Sequence, residues 1–274
     1  MDNHYKSMIN LKHTETPFPS ICQALGLLGV FFLIVIIVVV VSSFISKFIT
    51  PGMNSLMNAI GYILSVGLLL LVGIYKRRGT GFLWKKVSWS LILLIIPLAF
   101  SVGILLEPII DAIPMPELIR KSFESTMTSD IYSFFSIVIA APILEELVFR
   151  GIILDGFLKR YSPIKSIMWS SIFFGVAHLN PWQFIPAFAI GSIIGWLYWK
   201  SNSLIPGIVM HFVNNLLGFS MFVYTGNSMT TVQRMMGNDK MYYCFYGICL
   251  TVCLGLLMLM RKRLSPDFNI HPSS

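Results

Sequence analysis

The sequence predicts an all-α, polytopic membrane helix bundle of about eight transmembrane helices. Hydrophobic residues make up 55% of the 274-residue chain and charged residues only 12%, about half the roughly 25% that is typical of soluble domains. A soluble domain needs more surface charge than this. A disordered chain would be poor in aromatic residues, which here reach 14%. The composition therefore excludes both classes and favours a chain that folds in a bilayer.

Eight stretches are apolar, and each comes close to the roughly 20 residues that a spanning helix needs. The first is too long for the apolar region of a signal peptide and lacks a small-residue cleavage site, so we expect a retained anchor. Asn180-Pro181 separates the fifth stretch from the sixth and predicts a tight helical hairpin. The predicted spans are 21–46, 54–75, 88–106, 131–154, 164–180, 182–199, 204–224 and 241–260.

The basic residues predict that both termini are cytoplasmic. The formal net charge is +8, and membrane proteins carry surplus Lys and Arg in their cytoplasmic loops. We therefore explain the charge by topology and expect no nucleic-acid partner. Fourteen basic residues would lie inside and five outside. The inside set is Lys6, Lys12, Lys76, Arg77, Arg78, Lys85, Lys86, Lys159, Arg160, Lys165, Lys200, Arg261, Lys262 and Arg263. The outside set is Lys47, Arg120, Lys121, Arg234 and Lys240.

Segment 107–130, on the predicted outer side, has an amphipathic pattern. Met115, Ile119, Phe123 and Met127 recur every four residues with charged residues between them. This pattern is typical of a helix that lies on the membrane interface. A connector packed on the bundle would give the same pattern, so both interpretations stay open.

The fourth span carries the charges Glu145, Glu146 and Arg150. A charge at the centre of a bilayer costs at least about 2.5–3.5 kcal/mol, so these residues indicate either a functional site or an ion cluster that fixes helix packing. Glu146 and Arg150 are four residues apart and can form an ion pair on one helix face. Two adjacent carboxylates in a low dielectric do not both ionise readily. Glu145 is therefore our candidate for a general base.

Two histidines, His178 and His211, lie inside predicted spans. We expect Phe174 to stack on the face of His178 from position i−4, and Asn215 to share a helix face with His211 at i+4. A helix rises about 1.5 Å per residue. Measured along their helices from the basic residues at the predicted cytoplasmic ends, Glu145, His178 and His211 therefore lie roughly 21, 20 and 16 Å into the bilayer. Three helices are thus predicted to bring polar groups to a similar depth.

These motifs, in this order, resemble those of the CPBP intramembrane proteases. That family is also called the CAAX-protease and bacteriocin-processing, or Abi, family, and it includes the Rce1-type prenyl-protein endopeptidases. The resemblance covers about residues 130–225, and the remainder of the chain carries no motif of the family. The motifs are Glu145-Glu146-Leu-Val-Phe-Arg150, Phe174-xxx-His178 and His211-xxx-Asn215.

The resemblance implies hydrolysis of a peptide bond within the membrane. By this analogy Glu145 and His178 activate a water, His211 and Asn215 stabilise the tetrahedral oxyanion, and the ion pair keeps the site in shape. The implied partners are a membrane-associated protein or peptide substrate and the lipid bilayer. The implied processes are CAAX-type processing, bacteriocin maturation or self-immunity, in a bacterial plasma membrane.

On this basis the chain divides into four segments. Residues 1–20 form a cytoplasmic tail, and 21–130 hold the first helices and the outer amphipathic segment. Residues 131–225 form the catalytic core, and 226–274 hold the last span and a basic cytoplasmic tail. We expect the active site within the third segment.

Two functional alternatives remain. A proton-coupled transporter would use Glu145, His178 and His211 as a relay, although such carriers usually show paired repeats, which this sequence lacks. A non-catalytic immunity or scaffold protein of the same fold would keep the motifs without turnover.

A zinc ion is the alternative for the chemistry of the site. Glu145, His178 and His211 would then be its ligands, with an open position for water. A zinc site would give Asn215 no chemical role, whereas activation of water by the protein alone gives a role to every motif residue. We therefore favour catalysis without a metal.

We predict cytoplasmic termini and an even number of spans. A cysteine introduced into the N-terminal tail should react with a membrane-impermeant thiol reagent only after the cells are opened. Labelling of that tail from outside intact cells would overturn the predicted topology.

Overall fold

The structure is a computed structural model that describes residues 16–48, 53–78, 81–117, 119–121, 128–226 and 230–264. Within these ranges the chain is a bundle of helices, and an isolated bridge between Trp84 and Ser203 is the only extended pairing. The all-α class is thus confirmed. The helices are α1 (Ile21–Ile45), α2 (Asn54–Arg77), α3 (Trp89–Asp111), α4 (131–158), α5 (Pro163–Val176), α6 (Pro181–Ser201), α7 (Ile205–Thr225), α8 (Val232–Met236) and α9 (Asp239–Arg263).

Among the described residues, five helices, α1, α2, α3, α7 and α9, are long and apolar enough to cross a membrane, and the chain is an integral membrane protein. Each of the eight predicted stretches contains a helix, but a count of eight spans is not confirmed. Helix α5 has 14 residues, about 21 Å at 1.5 Å per residue, which is less than the roughly 30 Å of a hydrocarbon core. It ends at Val176, four residues before the predicted end of that span.

The connection between α5 and α6 has the predicted hairpin form. Leu179 adopts a left-handed conformation with φ 59°, which stops α5 from continuing. The side chain of Asn180 accepts a hydrogen bond from the backbone N–H of Gln183, and Pro181 occupies the first position of α6, where its missing N–H costs nothing. Helices α5 and α6 then pack along each other.

Helix α4 is the central helix, and it widens twice into a π-helix, at Phe135–Ala140 and Phe149–Leu154. Backbone groups in a bilayer must be satisfied within the protein. Three carbonyl oxygens of these two segments accept bonds from side chains of neighbouring helices, which attach α4 to α7, α5 and α2. The bonds are Asn215 Nδ2 to Ile137 O (2.8 Å), Ser170 Oγ to Phe149 O (3.0 Å) and Arg77 Nη1 to Gly151 O (2.6 Å).

Pro142 explains why the Ile137 carbonyl needs a partner from outside its helix. In the π-helical register the N–H of Ala141 bonds to the carbonyl of Ser136, five residues earlier. The next donor in that register would be the N–H of residue 142, and proline has none. The carbonyl of Ile137 is therefore open to the amide of Asn215.

Apolar side chains form two main cores, and α4 lies between them. One core joins α1, α2, α4 and α5 around Phe149, Phe157 and Phe173. The other joins α3, α6, α7 and α9 around Leu98 and Ile194. The charged residues of α4 thus sit at the junction of the two halves of the bundle.

The predicted amphipathic helix on the outer side is described only in part. Helix α3 extends to Asp111, and a helical turn begins at Pro116, whose carbonyl accepts the N–H groups of Ile119 and Arg120 at 3.0 Å. Phe123 and Met127 lie outside the described residues. The helix therefore stays a prediction.

Candidate active site

The ion pair predicted from the spacing in α4 is present and fully buried. Arg150 Nη1 donates to Glu146 Oε1 at 2.8 Å, and the two side chains are 1% and 0% exposed. Arg150 Nη2 donates to the carbonyl of Gly191 in α6 at 3.1 Å. The guanidinium also lies over the ring of Phe174, with Cζ 4.5 Å from the ring centroid, where the electron-rich face attracts a cation.

Two glycines make room for this pair. A Cβ added at Gly191 would lie 3.0 Å from Arg150 Nη2 and 3.1 Å from the ring of Phe174. A Cβ added at Gly207 in α7 would lie 3.0 Å from Glu146 Oε2. Because a larger residue at either position would press on the charged groups, α6 and α7 can approach α4 only with glycine here.

Glu145 faces away from the ion pair, towards α2. Tyr62 donates its hydroxyl to Glu145 Oε1 at 2.6 Å. The other oxygen, Oε2, lies 3.7 Å from His211 Nε2, which is beyond hydrogen-bond distance. The carboxylate of Glu145 is therefore held on one side and has an acceptor oxygen available on the other.

His211 lies between the two glutamates. Its Nδ1 is 3.0 Å from Glu146 Oε1, and because an ionised carboxylate can only accept, Nδ1 must carry a proton. The opposite ring nitrogen, Nε2, points towards Glu145. The side chain is almost fully buried. The two adjacent glutamates thus meet one histidine from opposite sides.

His178 lies in the turn after α5, not inside the helix as the sequence predicted, because α5 ends at Val176. Its Nδ1 is 2.9 Å from the carbonyl of Phe174. Since a carbonyl can only accept, Nδ1 carries the proton and Nε2 is left as the acceptor. No ion pair joins His178 to a carboxylate among the described residues.

Phe174 contacts both histidines in a T-shaped arrangement. Its ring is perpendicular to that of His178, with the centroids 5.2 Å apart, so the two rings do not stack as predicted. Its ring lies at 78° to that of His211, with the centroids 5.6 Å apart. Arg150 lies over the same phenyl ring.

Asn215 shares a face of α7 with His211, but its amide group donates a hydrogen bond to the backbone of α4. Nδ2 donates to Ile137 O at 2.8 Å, and Oδ1 accepts from Asn214 Nδ2 at 3.3 Å. An amide NH₂ has two hydrogens, so one remains for a further acceptor. The sequence reasoning predicted an oxyanion donor at this position and did not foresee the bond to Ile137.

Tyr62 is the contact of the site that the sequence reasoning missed, because α2 lies outside the family motifs. A sequence pattern does precede it. Asn54, Asn58, Tyr62 and Ser65 are spaced by four, four and three residues, which places them on one face of a helix. A polar stripe along an apolar span is unusual enough to mark a functional surface.

Tyr62 also borders a cavity of about 530 Å³ between α1 and α2, which we call the Tyr62 cavity. Its α2 side carries Asn54, Asn58 and Ser65 of the polar stripe, and its α1 side carries Ser42 and Ser43 beside apolar residues. The tyrosine that bonds to Glu145 thus lines a cavity between two membrane-length helices.

The described residues hold no group of three or more His, Cys, Asp or Glu side chains arranged to bind a metal. Catalysis without a metal stays a prediction, as does the zinc alternative with Glu145, His178 and His211 as ligands. Glu145 and His211 are neighbours, whereas the one hydrogen bond of the His178 ring goes to a backbone carbonyl.

Comparison with known proteins supports the motif assignment. Residues 127–217 match the model of the family described as type II CAAX prenyl endopeptidase Rce1-like. The chain is similar to the UPF0177 protein YxdF of Lactococcus lactis subsp. lactis (strain IL1403), with 31% identity over 83 residues. This match covers 30% of the chain and 45% of the relative, so the chain spans less than half of that relative. No solved structure matches the chain.

We predict that Arg150→Ala strongly destabilises the protein, because it leaves Glu146 as a buried carboxylate without a counter-charge. The loss should be about 3–5 kcal/mol, seen as a lower unfolding temperature in detergent. The double variant Glu146→Gln/Arg150→Ala should recover part of that loss. If Arg150→Ala unfolds at the wild-type temperature, the pair does not stabilise the bundle.

We also predict that Asn215→Ala destabilises the bundle, because the carbonyl of Ile137 loses its partner. An unsatisfied buried acceptor costs about 1–3 kcal/mol. Pro142→Ala restores a backbone donor to α4, so it should reduce the effect of Asn215→Ala when the two are combined. If the changes in the free energy of unfolding are strictly additive in this double-mutant cycle, the two substitutions do not act on the same carbonyl group.

Proposed function

We propose that the chain is an intramembrane endopeptidase, because residues 127–217 match the model of the family described as type II CAAX prenyl endopeptidase Rce1-like. It would hydrolyse a peptide bond of a membrane-associated protein or peptide. The observation that carries this proposal is Glu145, a carboxylate that the ion pair does not use. It accepts a hydrogen bond from Tyr62, a residue that lines a cavity between α1 and α2. CAAX-type processing, bacteriocin maturation and self-immunity are the processes that fit, in a bacterial plasma membrane with both termini cytoplasmic.

In this proposal Glu145 is the general base. Its Oε2 accepts a proton from a water molecule as the water oxygen attacks the scissile carbonyl carbon. His178 faces the same water through Nε2, which can accept a hydrogen bond because Nδ1 is protonated. When the tetrahedral intermediate collapses, the carboxyl group of Glu145 returns the proton to the leaving amine. One water is consumed, and a carboxylic acid and an amine are formed.

In this proposal His211 is an oxyanion donor. Its Nδ1 lies 3.0 Å from Glu146 Oε1, and Nε2 lies on the opposite side of the ring. With a proton on Nε2, His211 would donate to the developing oxyanion, together with the second amide hydrogen of Asn215. Such preorganised donors are commonly the largest single contribution to catalysis.

The Tyr62 cavity suits the entry of an extended polypeptide. A peptide segment within a membrane must find partners for its N–H and C=O groups. The amides of Asn54 and Asn58 and the hydroxyl of Ser42 border the cavity and can supply them. An acyl chain would gain nothing from these groups, so the lining favours a polypeptide as the occupant.

We propose catalysis without a metal, since each motif residue has a task in the arrangement described. The deciding measurement is metal analysis of purified, active protein. The proposal expects activity in protein without stoichiometric zinc. One tightly bound zinc per chain, whose removal abolishes activity and whose return restores it, would contradict it.

We predict that Glu145→Gln abolishes proteolysis without unfolding the protein, because a general base contributes about 10²–10⁴-fold to a rate. Membranes that contain the wild type should show new N-termini on one or more membrane proteins, mapped by mass spectrometry. Membranes with equal amounts of Glu145→Gln should lack them, and the exposed Glu117→Gln variant should keep them. Identical termini with and without Glu145 would favour a transporter or a non-catalytic scaffold.

We predict that Tyr62→Phe slows cleavage of the same substrate about 10–100-fold, because Glu145 loses a hydrogen bond to a charged group. The matched control is Tyr75→Phe on the same helix, since Tyr75 is 79% exposed. Initial rates in purified protein measure both. Equal rates for Tyr62→Phe and the wild type would show that Tyr62 does not position the base.

A further inference from the structure

A second cavity lies between α1 and α2, at the opposite end of these helices from the Tyr62 cavity. Its volume is about 980 Å³, within the range of ligand sites, and we call it the basic cavity. Four cationic side chains line it, namely Lys76, Arg77 and Arg78 at the end of α2 and Lys159 after α4. By the positive-inside pattern, this end of the bundle is predicted to face the cytoplasm.

The cationic side of the cavity is built into the fold. Arg77 is turned inwards and pairs with Asp155 at 2.8 Å, and Lys159 pairs with the same carboxylate at 2.7 Å. Among the described residues at this cavity, one carboxylate faces four cationic side chains, so the described lining carries a net positive charge. Arg78 is held in a left-handed conformation with φ 48°, at a helix end where glycine is usual. A non-glycine residue in that conformation is costly and often marks a functional position.

The remaining wall of the cavity is apolar. Leu27 and Val30 of α1 and Val72 of α2 line it, beside Gly26. A Cβ at Gly26 would meet nothing within 4 Å, so the space next to this glycine is open. The N-terminal segment closes one side, because Arg160 Nε donates to the carbonyl of Pro17. A cationic end and an apolar wall thus share one cavity.

We propose that the basic cavity binds one anionic glycerophospholipid. The phosphate would lie among Lys76, Arg78 and their neighbours, and an acyl chain would lie along Leu27, Val30 and Val72. Basic pockets between transmembrane helices on the cytoplasmic side are suited to anionic headgroups. A free phosphate ion would use the cations but not the apolar wall, and a zwitterionic lipid would not match the net positive charge.

The proposal is tested with purified full-length protein in a neutral detergent, by native mass spectrometry of bound lipid. The probes are dioleoyl phosphatidylglycerol, dioleoyl phosphatidylcholine and glycerol phosphate. We expect one phosphatidylglycerol per chain at concentrations where phosphatidylcholine does not bind. Equal binding of the two lipids, or complete displacement of phosphatidylglycerol by glycerol phosphate, would overturn the assignment of an anionic lipid.

Two variants locate the site, and each has a matched control. Lys76→Gln/Arg78→Gln should weaken phosphatidylglycerol binding about tenfold or more, at about 1 kcal/mol per basic residue. Its control, Lys262→Gln/Arg263→Gln, removes the same charge from exposed residues of α9. Unchanged affinity in the first variant, or an equal loss in the control, would overturn the site.

The second variant is Gly26→Leu, which fills the apolar part of the cavity without a change in charge. Its control is Gly29→Leu, at a glycine on the same helix that also has open space at its Cβ but does not line the cavity. Gly26→Leu should weaken lipid binding and Gly29→Leu should not. Equal binding by both variants would contradict the proposal even if the Lys76 and Arg78 variant fails to fold.

Discussion

A guanidinium and a carboxylate that are both buried in a membrane protein are costly unless each compensates the charge of the other. Glu146 and Arg150 do so within one turn of α4, although Glu146 Oε2 and Arg150 Nε have no hydrogen-bond partner among the described residues. The arginine reaches the carbonyl of Gly191 and the face of Phe174, while the glutamate reaches His211. These contacts fix α5, α6 and α7 around α4. Phe174 also contacts both histidines in T-shaped pairs, so the arginine and the two imidazoles share one aromatic partner.

The second constraint is that α4 does not satisfy all of its own backbone. Its π-helical segments leave carbonyls that side chains of α2, α5 and α7 must reach. A bilayer makes such bonds obligatory, since no water is there to replace them. The helix that carries Glu145 is therefore positioned from three directions by polar contacts, and apolar packing adds to them. Asn215 has both a structural contact and a proposed catalytic role. One amide hydrogen bonds to Ile137 of α4, and we propose that the other donates to the oxyanion.

The sequence predicted the features that depend on short spacings. The low fraction of charged residues and the length of the apolar stretches predicted an all-α membrane bundle. The separation of four residues between Glu146 and Arg150 predicted the ion pair. The sequence did not predict Tyr62, because a contact between α2 and α4 depends on how distant helices meet. The end of α5 was placed four residues too late because the apolar run continues past Val176, where the helix ends. The T-shaped packing of Phe174 was missed because the angle between two rings depends on how the surrounding helices pack.

We propose different roles for the two adjacent glutamates. Glu146 stabilises the bundle, and Glu145 takes part in the reaction. The most direct test compares the unfolding temperatures of Glu145→Gln and Glu146→Gln in the same detergent. The account predicts a clear decrease for Glu146→Gln, because Arg150 is left as a buried charge without compensation. It predicts little change for Glu145→Gln, whose partner Tyr62 can still donate to an amide oxygen. Equal decreases of the unfolding temperature in both variants, or a decrease only in Glu145→Gln, would contradict this assignment of roles.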